Sequence, residues 1–272
     1  MKSDFFKRIT TSAIFVIILI GSTLLHPVSF FIVFLAIVTI GQAEFYKIAL
    51  RDGRKPQVIT GIFFGSVIFI TNFLVASGNA NMKIFAAYLP IVIAITIIEM
   101  FRDSVHPVSN ISYAIFGALY VAMPFSLVNY MMYFPAFNNE FNGSILIAFF
   151  VLIWASDSGA YIVGSMIGKN KLFERISPKK TWEGFLGGAL SSLIAAWLVS
   201  IFIKEISIIH WFNIAILTVV FGTFGDLLES LLKRKVNIKD SGTLLPGHGG
   251  ILDRFDSLLM AAPIVYVYLQ FV

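Results

Sequence analysis

Apolar positions in this chain come in long blocks, and polar positions fall in short breaks between them. Nine blocks stand out, with limits near 9–25, 28–46, 58–76, 84–101, 111–134, 144–166, 184–203, 211–232 and 251–272. A helix that crosses a bilayer needs about 20 mostly apolar residues, and each block meets or approaches that length. The breaks hold residues that stop helices, as in "HP" at His26, "RDGRKP" from Arg51 and "PAFNNEFNG" from Pro135. The pattern predicts an all-α, polytopic integral membrane protein of about nine transmembrane helices. The first block follows a basic flank in "KRITTSAIFVIILIGSTLL", but no small-residue cleavage site comes after it and the second block starts almost at once. It therefore reads as a retained span and not as a signal peptide. No internal repeat or low-complexity tract interrupts the series.

Composition agrees with the pattern. Hydrophobic residues make up 58% of the chain and charged residues 13%, too little polar surface to cover a soluble globule of this size. There is no cysteine, which excludes disulfides, thiolate metal sites and a cysteine nucleophile. The formal charge of +5 suits anionic headgroups or anionic substrates, although basic cytoplasmic loops alone give membrane proteins such a balance. The distribution of that charge is more informative. With the N-terminus in the cytoplasm, the inside segments hold three, four, one, five and five basic residues, and only Lys83 and Lys204 of the twenty lie outside. Cytoplasmic loops are enriched in Lys and Arg, so the arrangement predicts a cytoplasmic N-terminus and an external C-terminus. The polar segments 167–183 and 233–250 then both face the cytoplasm.

The two halves differ in kind. Residues 1–143, spans one to five, carry few ionisable groups, with Glu44 and Glu99 near cytoplasmic ends, and read as packing, lipid contact or oligomer surface. Residues 144–272, spans six to nine with their two cytoplasmic loops, carry Asp157, Asp226, Glu229, Asp253 and Asp256 in or beside apolar helix. A carboxylate at such a position is costly and marks a functional site by default. Asp226 and Glu229 are three apart and share a helix face, and Asp253 and Asp256 repeat that spacing after the second loop. Two helices offering two carboxylates each could converge on a divalent cation, and all-oxygen ligands suit magnesium better than zinc. The plainer alternative is that the acids pair with Arg234 and Arg254 as interfacial salt bridges.

The loop between the pairs, "KDSGTLLPGHGGILDRFDSLL" from Lys239 to Leu259, places His248 among glycines. Exposed backbone N–H groups beside Gly249 and Gly250 could hold phosphate oxygens, whereas a lone loop histidine is more often solvated. In "SPKKTWEG" from Ser177, Lys179 and Lys180 could clamp a polyphosphate, or simply obey the charge rule as Lys169 and Lys171 do. "WASDSGAYIVGSMIGK" sets Asp157 among small residues that permit close helix packing. Packing explains the glycines but not the acid, which is expected to face the same polar cavity. The chain has no P-loop, dinucleotide fingerprint or zinc-protease motif. Carboxylates, lysines and a glycine loop without an evident nucleophile fit a transfer in which the substrate brings its own nucleophile and the protein positions it and neutralises charge. Two rivals share these parts. An ion-coupled transporter would place its polar groups near the membrane midplane, and a nucleotide-dependent lipid-alcohol kinase would transfer the γ-phosphoryl and release the nucleoside diphosphate.

"SLLKRKVNIKDSGTLLPGHGGILDRFD", Ser230 to Asp256, resembles the signature of the phosphatidate cytidylyltransferases, or CDP-diacylglycerol synthases. A serine, a Lys-Arg pair, Lys-Asp and a His-Gly-Gly-x-x-Asp-Arg-x-Asp block recur there at the same spacing, and the segments around Asp157 and Lys179 resemble the family's companion motifs. The similarity covers roughly residues 154–260. It implies that CTP and phosphatidic acid give CDP-diacylglycerol and pyrophosphate in phospholipid biosynthesis, with Mg2+ required. It further suggests a K+ ion beside it, membrane lipid as surroundings, a homodimer, a bacterial inner-membrane location with a cytoplasmic site, and no nucleic-acid partner. Carried over by position, Asp226, Glu229, Asp253 and Asp256 are the metal-centre acids. Asp226, Asp253, Asp256 and Lys239 are the expected catalytic groups, and Lys179, Lys180, Lys233, Arg234, His248, Gly249, Gly250 and Asp157 the expected substrate contacts.

Overall fold

The structure is a computed structural model that describes the backbone of residues 2–244 and 249–272, and side chains from Thr10 onward. Each of the nine apolar blocks is helical. They form α1 (Lys2–Leu25), α2 (Pro27–Arg51), α3 (Val58–Ala76), α4 (Tyr88–Met100), α5 (Pro107–Gly117), α6 (Met123–Met132), α7 (Ser144–Ile167), α8 (Trp182–Phe202), α9 (Ile208–Lys235) and α10 (Leu252–Leu269). The fifth block is the one that splits. A π-helical stretch, Ala118–Ala122, joins α5 to α6, and Pro124 just beyond it has no amide hydrogen to give to the Tyr120 carbonyl. Among the described residues seven helical segments are long and apolar enough to cross a membrane, α5 and α6 counting as one. The expected count of nine thus becomes seven by this measure. The two that fall short are the apolar part of α1, Thr10–Leu25, and α10, whose first turns carry Asp253, Arg254 and Asp256.

The segment expected to be a plain polar loop, 167–183, contains a small antiparallel hairpin, β1 (Lys171–Phe173) and β2 (Ser177–Thr181), with Lys171 opposite Thr181. Two devices seat it between α7 and α8. The Thr181 hydroxyl accepts the Gly184 amide and caps α8. The Glu183 carboxylate accepts the amides of Lys169 and Asn170 and the Asn170 side chain.

Lipid tails are as apolar as leucine, so close packing and not water exclusion holds these helices together. α7 and α8 meet along a seam of small residues. A Cβ on Gly188 would lie 2.8 Å from the Ser156 carbonyl oxygen, and one on Gly184 would lie 2.9 Å from that of Ala160. On the other side α10 packs against α9, α6 and α2. Phe255 sits at this junction, edge-on to Phe125 at 5.0 Å and to Phe15 at 5.7 Å. Helical spacing then turns Asp253, Asp256 and Ser257 toward α7 and α9, while Leu252, Phe255 and Leu259 fill the core. The 28 residues of α9 extend about 42 Å at 1.5 Å per residue, more than the hydrocarbon thickness of about 30 Å. Asp226 begins its last third, so the acids of α9 lie toward its C-terminal end.

Candidate active site

One cavity of about 650 Å³ opens among α7, the hairpin, α8, α9 and α10. Its polar wall brings together Asp157, Lys179, Lys180, Asp226, Asp253 and Asp256, and its apolar wall is made by residues such as Ile153, Ala160, Phe185 and Val219. Close backbone approach creates this meeting. A Cβ on Gly225 would come within 3.2 Å of the Asp256 carbonyl carbon and 3.3 Å of Ser257 Cα, so a glycine lets α9 and α10 cross where each presents an acid. Asp157, Asp226 and Asp256 are near enough for their charges to repel one another, with Lys180 and Arg254 offsetting part of that charge. Lys180 Nζ pairs with Asp226 Oδ2 at 2.5 Å, both side chains being partly exposed, and Ser230 Oγ donates to Asp226 Oδ1. Asp256 Oδ1 accepts the Ser257 amide at 2.6 Å.

The remaining predicted acids belong to a second cluster behind this wall. Lys233 Nζ bonds Asp253 Oδ1 at 2.7 Å and lies 3.2 Å from Glu229 Oε1. Glu229 is wholly buried, and neither of its oxygens has a hydrogen bond of good geometry. Asp253 Oδ2 gathers both ends of the second loop, accepting the Ser241 amide at 2.8 Å, the Ser241 hydroxyl at 2.9 Å and the Gly250 amide at 2.7 Å. The four acids read from sequence as one centre are therefore divided, with Asp226 and Asp256 on the cavity, Glu229 held by Lys233, and Asp253 reaching both. Gly250 gives its amide to a carboxylate. Gly249 takes a left-handed backbone, φ +81°, where Asp253 would crowd a side chain were one present. The Lys-Arg pair also divides: Lys233 turns inward, whereas Arg234 donates to the Ile238 carbonyl and caps the turn after α9. Lys239 lies exposed on the loop. His248 lies outside the described residues.

Sequence reasoning missed Glu44. It stands on α2 in the half read as packing surface, yet its buried carboxylate accepts the Leu252 amide at 2.8 Å and the Ser241 hydroxyl at 3.2 Å. The signal was an acid inside an apolar block, the same signal that singled out Asp157. Glu99 differs. It is surrounded by donors from Gln57, Arg102, Ser104 and Asn110 and ties α4 to its neighbours.

Magnesium can be tested against these donors. The acids on the cavity offer only hard carboxylate oxygens, and the described lining contains no histidine. Among the described residues no three His, Asp or Glu side chains converge enough to hold an ion unaided. Oxygen-only donors are the type magnesium takes, one or two carboxylates with water and substrate phosphates completing its shell.

Comparison with known proteins gives the chain a family. The chain is 33% identical over 272 residues to a phosphatidate cytidylyltransferase of Bacillus subtilis (strain 168), covering 98% of each. It is 35% identical over 224 residues to one from Rickettsia bellii, covering 79% of this chain and 92% of the relative. A third, from Staphylococcus saprophyticus, is 50% identical over 127 residues, 46% of this chain and 48% of the relative. The cytidylyltransferase family matches residues 6–272, and the chain belongs to that family.

Proposed function

We propose that the cavity among α7, α8, α9 and α10 is where CTP meets phosphatidic acid. The protein is a phosphatidate cytidylyltransferase, condensing the two to CDP-diacylglycerol and pyrophosphate. A single observation carries the site: one cavity joins acids and lysines to an apolar wall. A triphosphate with its cation needs the first set, and the upper part of two acyl chains needs the second.

A phosphate monoester has a second pKa of about 6, so phosphatidate arrives largely ionised and needs no strong base. Its oxygen forms a bond to the α-phosphorus of CTP while the bond from that phosphorus to the bridging oxygen breaks, and pyrophosphate leaves with the electron pair. Lys180 and Lys179 lie on the hairpin at the cavity mouth, where they hold the β and γ phosphates. In forming those contacts Lys180 releases Asp226, which frees a carboxylate as the nucleotide enters. Asp226 and Asp256, with Asp157 beside them, would hold magnesium, which when bound neutralises triphosphate charge and the charge developing on the leaving group. Lys233, through Asp253, fixes the first turns of α10 and hence the aim of Asp256. The chain is a multi-pass membrane protein, and the positive-inside distribution of Lys and Arg supports a mouth that opens to the cytoplasm, the source of CTP. We extend the proposal to a homodimer, which mass measurement in native detergent micelles tests separately.

The experiment is pyrophosphate release from CTP by purified protein in detergent, with and without phosphatidic acid and with magnesium varied, and with the lipid product identified. Release that needs both lipid and magnesium and yields a CDP-lipid supports the assignment. CDP together with a phosphorylated lipid alcohol would indicate a kinase. Proton-coupled uptake without CTP consumption would indicate a transporter.

A further inference from the structure

We propose that Glu44 of α2 is a positioning residue for nucleotidyl transfer, holding both ends of the second cytoplasmic loop and the start of α10 so that Asp253 and Asp256 face the cavity. This inference rests on the cavity being the catalytic site.

Glu44 is 3% exposed, and a buried carboxylate is costly unless hydrogen-bonded. Its bonds cross the whole chain: Oε2 accepts from Leu252, 208 residues away, and from Ser241, 197 residues away. The Leu252 amide is one of the free donors at the start of α10, so a helix near the beginning of the sequence caps the last one. Ser241 in turn bonds Asp253 Oδ2, Asp253 Oδ1 bonds Lys233, and Lys233 reaches Glu229. A continuous polar chain thus runs from the N-terminal half into the site.

The glycines of the loop give independent support. Of the described glycines in the loop, Gly249 has a positive φ and Gly242 and Gly250 do not. Gly242 and Gly250 have backbones that any residue could adopt, so conformation does not require glycine there. What a side chain would meet is Glu44: a Cβ built on Gly242 runs into Glu44 Oε1, and one built on Gly250 runs into Glu44 Oε2 and the Ser241 hydroxyl. These two glycines accommodate a carboxylate from another helix. Read from sequence alone, Gly250 had instead suggested a phosphate contact.

The test is a double-mutant cycle of Glu44→Ala and Gly242→Ala, since a Cβ on Gly242 meets Glu44 alone, read as kcat and KM for CTP and for phosphatidic acid. Each single change is expected to lower kcat at least about tenfold, and if Glu44 is what excludes the methyl group, adding Gly242→Ala to Glu44→Ala costs less than about twofold more. Glu44→Gln keeps an acceptor for the Leu252 amide and is expected to recover most of the rate that Glu44→Ala loses. Independent, multiplying effects of the two alanines would overturn the proposal, as would a Gln variant no better than Ala. A readout without turnover covers variants that are inactive or poorly folded. The chain lacks cysteine, so a nitroxide on Leu244→Cys reports the loop alone. Glu44→Ala should mobilise that label while the Glu44→Gln spectrum stays close to that of the parent, and an unchanged spectrum in Glu44→Ala refutes the anchoring. If the parent protein shows no lipid-dependent CTP turnover the catalytic reading fails, but the label still decides whether Glu44 holds the loop.

Discussion

Asp253→Asn is the most discriminating single change, because the structure fixes what each half of the side chain must do. Asparagine keeps one acceptor oxygen. If that oxygen takes the place of Oδ2, it retains the Ser241 amide, the Ser241 hydroxyl and the Gly250 amide, and the new NH2 group points at the Lys233 ammonium. If it is flipped, three donors are stranded, each costing about 1–3 kcal/mol, so the first orientation wins. The loss is then the charge-assisted bond between Lys233 and Oδ1, 2.7 Å long, about 1.5–3 kcal/mol, with two donors left facing each other. Lys233 still has Glu229, which limits the damage to folding. If that free energy is what keeps α10 correctly aimed, about 1.5–3 kcal/mol corresponds to a fall in kcat/KM of about 12- to 140-fold at roughly 1.4 kcal/mol per factor of ten. The assay is lipid-dependent pyrophosphate release, with thermal melting in detergent to show that the variant is folded. A folded Asn variant within about threefold of the parent would refute the reasoning and remove Asp253 from the site. Lys233→Met combined with Asp253→Asn should cost less than the two changes separately, since both act on one bond.

Three further outcomes follow from the geometry. Lys180→Ala should raise KM for CTP while leaving the melting temperature nearly unchanged, because its pair with Asp226 is partly exposed and such pairs contribute about 0–1 kcal/mol; a large drop in melting temperature with unaltered KM would contradict it. Gly188→Leu should push α8 from α7 at the Ser156 carbonyl and destabilise by about 1–3 kcal/mol, seen as a lower melting temperature with loss of turnover, whereas a neutral result would mean the seam is loose. The Asp52 carboxyl is held below the usual carboxylate range, chiefly by the hydrogen bond from Lys235, with Tyr113 and Arg54 assisting. A depressed folded-state pKa contributes stability above the unfolded value of about 3.9 and loses it as pH falls through the folded one. Lys235→Met should therefore show a small deficit in melting temperature at neutral pH that shrinks toward zero below about pH 4, and a deficit that grows on acidification would reverse the sign of the argument.

The helices were legible because their signal is local. A run of about 20 apolar residues declares itself whatever lies beside it, and α3 begins and ends where its block does, at Val58 and Ala76. The acids were legible for the same reason: each is an exception inside an apolar run. What spacing could not supply was the partner. Asp226 and Glu229 share a face of α9 three residues apart, yet one turns to Lys180 on the hairpin and the other to Lys233 one turn further along its own helix. That division depends on where Gly225 lets α10 cross at Asp256, 31 positions away. The π-helical stretch before Pro124 and the strands around Lys179 were likewise hidden, because the residues that make them also suit a loop or a helix end.

Glu44 shows why a membrane protein's inert half resists such reading. In water a surface acid is cheap and its presence means little, but inside a lipid-facing bundle it must be matched by donors, which its own span of apolar side chains cannot provide. The donors have to come from a segment with free amides, and a helix start or a glycine loop is where free amides are found. A lone acid in an apolar span therefore implies a loop or helix terminus docked against it. Here the partners are Ser241 and the Leu252 amide at the start of α10, so the N-terminal helices bear directly on the geometry of the candidate site, and truncating them should disorder Asp253 even if α7 to α10 remain inserted.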